Sequence, residues 1–172
     1  MIHADTPQTT RIDKEHSMKT IIVGLGNPIL GDDGVGWRVA EEIKAQLPPH
    51  DGMDVVCLSL GGLGLMEHLI GFDRAIIVDA FIAEKDDMGS ILISNLKDMP
   101  NYSAFHTPSG HDTSLQSAIE LGRSMGAHLP DDVVVIGIAI QRISEFGGSL
   151  SPRVAECVSQ AAHIVLNLID AR

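Results

Sequence analysis

Short apolar runs alternate along this chain with longer stretches of helical periodicity. The runs are continuously apolar and rich in β-branched residues, which is typical of strands covered on both faces of a sheet. They lie at residues 20–23, 54–58, 75–78, 90–93 and 133–140. The clearest helical sets are Val35, Val39, Ala40, Ile43 and Leu47, and then Val154, Val158, Ala161, Val165 and Ile169.

The repetition of strand, helix and strand predicts an α/β fold. We expect a three-layer sandwich, with a mostly parallel twisted sheet of about five strands and helices on both faces. Ser151 and Pro152 fit the N-cap and first position of the last helix. Too few residues separate Val78 from Ile91 for a helix, so a hairpin or an edge strand is expected there. Residues 95–110 show no clear period, and loops of that length are more often functional or mobile than incidental.

The length of 172 residues favours a single domain. We expect one α/β domain at 18–172, preceded by a mobile N-terminal extension at 1–17 that lacks the apolar stretch of a secretory signal. No run reaches the roughly 18 apolar residues of a membrane helix. Cys57 and Cys157 match no zinc or redox motif, which favours reduced thiols in the cytoplasm.

The charge balance argues against one class of partner. The chain has 12 basic and 23 acidic residues, a net charge of −11, and only 3% aromatic residues. Nucleic-acid binders usually need a basic surface and often stacking rings. We therefore expect no nucleic-acid partner.

A glycine-rich segment at residues 24–36 follows the first apolar run and suggests a phosphate-binding loop. However, Ile29 stands where the dinucleotide fingerprint requires a glycine, and Asp32 stands where a P-loop has lysine. Two adjacent carboxylates at the mouth of a helix also repel phosphate. Nucleotide binding is therefore disfavoured, and a flavodoxin-like or nucleotide-binding module is kept as an alternative.

Two acidic positions lie where strands are expected to end. Of Asp32 and Asp33, one can cap the first helix while the other points off the carboxyl edge of the sheet, where ligands bind in open α/β folds. Asp79 ends the third apolar run, where an Asp either binds a ligand or bonds to a loop or helix end. If the first and third strands are neighbours, Asp33 and Asp79 face one crevice.

A histidine completes a possible donor set. His111 lies in a turn-rich segment, after a glycine and at the entry to the next helix, although His106 is a rival and a solvated surface histidine is the simpler interpretation. Two carboxylates and one imidazole would give an O,O,N set with open positions, compatible with zinc, nickel or another divalent ion.

Five segments, in this order, resemble the hydrogenase maturation proteases. The most specific is Gly-x-Gly-Asn-x-x-x-x-Asp-[Asp/Glu]-Gly-x-Gly. The segments lie at residues 24–36, 77–80, 111–115, 135–138 and 150–154, and the similarity extends from residue 19 to about 168. A glycine turn at 61–64 also matches a family block, and is explained either by close approach of a substrate tail or by turn geometry.

The resemblance implies that the domain at 18–172 is an aspartic-type endopeptidase of the cytoplasm that activates a hydrogenase. Such an enzyme removes the C-terminal extension of a nickel-iron hydrogenase large-subunit precursor after nickel insertion, and recognises the nickel already in that substrate. The family's three metal positions carry over to Asp33, Asp79 and His111, which are expected to be both the metal ligands and the catalytic site. The first of these is Glu in some members and Asp in others.

Further expectations concern cofactors and partners. The resemblance implies that nickel comes with the substrate, that zinc or cadmium can replace it in a crystal, and that no other cofactor is held. We expect a monomer without membrane association. Three alternatives stay open. They are the flavodoxin-like or nucleotide-binding module without peptidase activity, a different metallopeptidase on a related sheet, and a nickel chaperone that binds the large subunit but leaves its C-terminus intact.

Overall fold

A computed structural model of the protein describes residues 18–48, 52–100, 113–141 and 146–171. The strands are β1 (Thr20–Leu25), β2 (Met53–Leu58), β3 (Arg74–Ile82), β4 (Ile91–Asn95) and β5 (Asp132–Ile140). The α-helices are α1 (Val35–Gln46), α2 (Gly62–His68), α3 (Leu115–Ser124) and α4 (Pro152–Asp170). Short 3-10 turns lie at Gly31–Gly34, Lys85–Asp87 and Leu96–Asp98. The predicted N-terminal extension at 1–17 lies outside the described residues.

The five strands form one sheet in the order β2-β1-β3-β5-β4. Strands β2, β1, β3 and β5 are parallel, and β4 runs antiparallel to β5 at the edge. The α/β fold with a mostly parallel five-stranded sheet is therefore confirmed, as is the edge strand. The alternative of a hairpin after Val78 is wrong, because β5 lies between β3 and β4 and a 3-10 turn joins the two strands.

Helices cover both faces of the sheet, as the continuous apolar runs predicted. Along β3, Ile76 packs into a core with α1 and α4, whereas the next residue, Ile77, packs into a core with α2 and α3. Both side chains are fully buried. This alternation explains why β3 is apolar from Ala75 to Val78, since both faces of a central parallel strand are covered. The three-layer arrangement is confirmed.

The last helix begins where the sequence predicted. Ser151 is the N-cap of α4 and Pro152 its first residue, but the Ser151 side chain makes no capping hydrogen bond. Although α4 has 19 residues, neither it nor any other helix within the described ranges is long and apolar enough to cross a membrane.

The two thiols are free, and Cys157 joins α4 to the chain before β4. Its Sγ donates to the Gly89 carbonyl at 3.0 Å and the Arg153 carbonyl at 3.1 Å. Burial raises the pKa of Cys57 and of Cys157. Because the folded state retains these protons more tightly, the associated stability is present below the unfolded thiol pKa and is lost as the pH rises through the folded pKa.

We expect Cys157 to react with a disulfide reagent at pH 8 more slowly in the folded protein than in urea. The reactive species is the thiolate, and burial reduces both its fraction and its access to the reagent. Time-resolved mass analysis of tryptic peptides measures Cys57 and Cys157 separately. Equal rates for Cys157 in the two states would contradict the expectation.

Candidate functional site

Asp33 is held at the carboxyl end of β1 by the shape of the glycine loop. Gly26 has φ of +134°, and a Cβ at this position would overlap the carbonyl oxygen of Asp33. Only glycine therefore allows the loop to close here. The backbone N–H of Asn27 donates to Asp33 Oδ2 at 2.8 Å, and Asp33 is only 7% exposed.

The neighbouring Asp32 connects the loop to α4, since its Oδ1 accepts the backbone N–H of Ser151. Neither acid caps α1, whose N-cap is Gly34 and has no side-chain hydrogen bond. The prediction that one of the pair caps this helix is wrong. Asp32 and Asp33 belong to a 3-10 turn that precedes α1. Their carboxylates accept backbone N–H groups from outside that turn.

Asp79 lies within β3 and not at its end. The strand continues to Ile82 because β5 pairs with it along its full length, so the expectation that Asp79 terminates the strand is corrected. Pairing with β1 ends one residue earlier, at Val78 opposite Gly24. Asp79 is thus the first residue of β3 after its pairing with β1 stops. Its Oδ1 accepts the Ala80 N–H at 2.9 Å, and the residue is 1% exposed.

The expected neighbourhood of β1 and β3 is confirmed, and Gly36 shows how closely the site is packed there. A Cβ on Gly36 would overlap the carbonyl oxygens of both Leu25 and Val78. The first turn of α1 therefore lies directly over the end of β1 and against β3. The 3-10 turn that carries Asp33 also contacts β3. Asp33 and Asp79 flank the switch point of the sheet, where α/β proteins bind their ligands.

The third predicted ligand, His111, lies outside the described residues, as does its rival His106. Among the residues with described positions, no group of three or more His, Cys, Asp or Glu side chains is arranged to hold a metal ion. The two carboxylates lie on either side of the switch point, whereas their opening into one crevice and the full O,O,N set stay predictions.

A small cavity of about 80 Å³ adjoins Asp79 on the sheet face that α2 and α3 cover. Its other lining side chains are Phe81, Leu92, Ser94, Met99 and Val135, with Gly137 opposite Asp79 on β5. The Phe81 ring packs over Gly137, and a Cβ on Gly137 would come within 2.9 Å of the ring. One side of the Asp79 carboxylate is therefore a largely apolar wall, which strengthens electrostatic interactions near it.

A larger cavity of about 260 Å³ lies elsewhere, between β4, α3 and the start of β5. It is lined by charged residues that include Lys97, Arg123 and Asp131. Because β5 begins here, this cavity is at the amino edge of the parallel strands. It is remote from the two carboxylates, so its size does not make it the site.

Sequence reasoning missed the contacts that join β2 to the glycine loop. The Leu58 carbonyl accepts the Gly26 N–H at 3.2 Å and the Trp37 indole N–H at 3.0 Å. Ser59 Oγ donates to the Gly26 carbonyl at 2.6 Å. One signal in the sequence could have indicated Ser59. It directly follows the apolar run at 54–58, and so lies at the carboxyl edge of the sheet where Asp33 and Asp79 were expected.

The glycine turn at 61–64 serves the fold itself. Gly62 has φ of +51°, and a Cβ at this position would come within 2.6 Å of the Thr113 carbonyl oxygen. The positive φ and the close contact with Thr113, two residues before α3, account for glycine at this position. Approach of a substrate tail to this turn stays a prediction.

The comparison with protein families gives a match to the model for hydrogenase maturation proteases (HycI), over residues 37–168. The matched stretch includes Asp79 and begins shortly after Asp33. It covers well over half of the chain.

Similar proteins carry related names. The hydrogenase 2 maturation protease of Escherichia coli K12 is 24% identical over 149 residues, which cover 87% of this chain and 89% of that protein. The hydrogenase expression/formation protein HoxM of Cupriavidus necator is 30% identical over 146 residues, 82% of this chain and 69% of that protein.

Among solved structures, the hydrogenase maturating endopeptidase HybD from E. coli has the same fold. The TM-score is 0.74 at 23% identity, with 90% of this chain and 93% of that chain covered. At this identity the likeness concerns the fold, and it agrees with the sheet and helix layers described above.

Proposed function

Because the chain belongs to the hydrogenase maturation protease family, we propose that it removes the C-terminal extension of a nickel-iron hydrogenase large-subunit precursor. The enzyme is a hydrolase of peptide bonds, as family membership implies. In our proposal it acts in the cytoplasm as a monomer, after nickel has entered the precursor. It recognises that nickel through Asp33, Asp79 and His111.

The observation that carries the proposal is a pair of buried carboxylates at the carboxyl edge of the sheet. Asp33 and Asp79 come from separate elements and flank the switch point between β1 and β3. Each has one oxygen fixed by a backbone N–H, from Asn27 and Ala80 respectively. Carboxylate oxygens suit divalent ions, and an added imidazole suits nickel and zinc. Two such acids disfavour a phosphate ligand, which argues against the nucleotide-binding alternative.

The chain's own residues then act chiefly by placement. Asp33 and Asp79 attract the cation of the precursor, and so bring the peptide that follows it to the carboxyl edge of the sheet. Fixed carboxylates at this edge need no rearrangement when the substrate arrives, which favours catalysis. The nickel of the precursor, when held by these residues, would act as a Lewis acid that either polarises the scissile carbonyl or lowers the pKa of a bound water. A site that depends on the metal of its substrate should bind free metal only weakly.

We expect cleavage of the precursor to depend on its nickel. A candidate large-subunit precursor is incubated with this protein, with and without nickel, and its intact mass is then measured. The expected result is loss of a C-terminal peptide only from the nickel-loaded sample. The cleavage rates with and without nickel should differ by at least about 100-fold, because changes around the ligands of a metal site alone cost up to about that much activity. Efficient cleavage of the nickel-free precursor would refute nickel recognition.

The same assay separates the proposal from its alternatives. A nickel chaperone would bind the loaded precursor without changing its mass. A flavodoxin-like or nucleotide-binding module would leave the precursor intact, and would be stabilised by flavins or nucleotides in a thermal-shift screen. Proteolysis with nickel replaced by zinc in the precursor would show that the site reads a divalent cation rather than nickel alone.

A further inference from the structure

A single peptide group connects the end of β2 to Asp33. The carbonyl of Gly26 accepts Ser59 Oγ at 2.6 Å. The N–H of Asn27 donates to Asp33 Oδ2 at 2.8 Å. This carbonyl and this N–H belong to the same peptide unit, which is planar and rigid. Any rotation that frees the carbonyl from Ser59 therefore also turns the N–H away from the carboxylate.

The peptide needs such a restraint because its conformation is an uncommon one. Gly26 has φ of +134°, in a region where glycine moves with little steric resistance. The preceding N–H of Gly26 is bound to the Leu58 carbonyl, which also accepts the Trp37 indole N–H. This anchors one side of Gly26, and the Ser59 hydroxyl anchors the other. The two anchors come from the last residue of β2 and the residue after it.

Ser59 itself is exposed, so its hydroxyl is not required to satisfy a buried core. Water could accept and donate in its place without loss of the fold. What water would not supply is a fixed direction for the Gly26–Asn27 peptide. The main effect of the hydrogen bond from Ser59 is therefore on the Asp33 carboxylate, which accepts the N–H of that peptide.

We propose that Ser59 is a positioning residue, which holds the Asp33 carboxylate in its working orientation through the Gly26–Asn27 peptide. The inference rests on the proposed role of Asp33 as a ligand to the substrate's metal. In this role Ser59 contacts neither the metal nor the scissile bond. Its hydroxyl matters and its size does not, because an exposed position has room for an added methyl group.

The test compares Ser59→Ala with Ser59→Thr, which keeps the hydroxyl. With nickel-loaded precursor, we expect Ser59→Ala to lower kcat/KM about tenfold, since small displacements of a catalytic group cost up to about a hundredfold. Ser59→Thr should stay within about twofold of the wild-type value. Both variants should unfold at the wild-type temperature within a few degrees, as expected of an exposed residue. Ser124→Ala is the matched control, because Ser124 Oγ also donates to a backbone carbonyl, of Leu121, on α3.

A second measurement does not depend on cleavage. In ¹H–¹⁵N spectra of the free protein, the Asn27 amide proton should move in Ser59→Ala and return in Ser59→Thr, because its hydrogen bond to Asp33 lengthens only when the hydroxyl is absent. Titration of the free protein with Ni²⁺ should give weaker binding for Ser59→Ala than for Ser59→Thr.

These measurements distinguish failure of the inference from failure of the proposed function. If wild-type protein cleaves no precursor, the proposed function fails, and the Asn27 amide still tests the coupling. An unmoved Asn27 amide in Ser59→Ala overturns the coupling. If the Asn27 amide moves in Ser59→Ala but kcat/KM stays at the wild-type value, the coupling exists but does not affect the reaction, and the inference is overturned. If Ser59→Ala and Ser59→Thr lose kcat/KM equally, the hydroxyl is not the cause and the inference is overturned as well.

Discussion

Replacement of Asp79 by asparagine is expected to abolish processing while the protein stays folded. The amide would keep the shape of the side chain and an oxygen that can accept the Ala80 N–H, so the local structure needs no rearrangement. It would remove the negative charge that, in the proposed function, attracts the metal of the substrate. Changes around metal ligands cost about 10–100-fold in affinity or activity even when the ligand itself is retained. Loss of a ligand charge should therefore lower kcat/KM by at least about 100-fold.

The measurement is the rate of loss of the C-terminal peptide from nickel-loaded precursor, followed by mass. Asp131→Asn is a suitable control, because the Asp131 side chain is 97% exposed, pairs with Arg123 at the surface and lies at the amino edge of the sheet. It should process at the wild-type rate. Thermal unfolding of both variants checks that the fold is intact. A fully active Asp79→Asn variant would remove Asp79 from the site.

The fold was predictable because its central strands, β1, β3 and β5, are buried on both faces. Continuous apolar runs of strand length, separated by helical periodicity, leave few arrangements other than a layered α/β sheet. What the pattern did not contain is the pairing between distant segments. The edge strand β4 pairs with β5 and not with the preceding β3, and nothing in the local sequence near Val78 specifies that partner.

The sequence indicated that Asp33 and Asp79 would lie near the carboxyl edge of the sheet, but not which groups they bind, and their role stays a prediction. Asp33 and Asp79 were identified because acidic residues interrupt apolar runs near the carboxyl edge. The sequence suggested that Asp32 or Asp33 would cap α1, because local propensity favours Asp at that position. In the fold, Asp32 instead accepts the N–H of Ser151, 119 positions away along the chain. A contact of that separation depends on tertiary packing and is invisible to local pattern.

The position of Asp79 shows the same limit. The apolar run stops at Val78 in the sequence, yet β3 continues to Ile82 alongside β5. The apolar run ends where the pairing of β3 with β1 ends, not where β3 ends. Asp79 is still paired with Gly137 on β5, and it is therefore a buried residue inside the strand.

The glycine at position 36 is expected to be highly sensitive to substitution, although its backbone conformation is an ordinary helical one. A methyl group there would overlap the Leu25 and Val78 carbonyl oxygens at once, and neither strand can yield without disturbing the centre of the sheet. We expect Gly36→Ala to lower the free energy of unfolding by about 3 kcal/mol, at the upper range for overpacking. For a domain of this size that corresponds to a fall in Tm of roughly 6–12 °C.

Gly64→Ala is the matched comparison for this prediction. Gly64 is also helical, but a Cβ there would meet only Leu60 side-chain atoms at 3.8–3.9 Å, an ordinary contact distance. Alanine should therefore leave stability unchanged or raise it by up to about 1 kcal/mol, through its higher helix propensity. Calorimetry or urea unfolding measures both variants. Similar stabilities for the two would mean that α1 can move off β1 and β3. The close packing of Gly36 against Leu25 and Val78 would then not be a requirement of the fold.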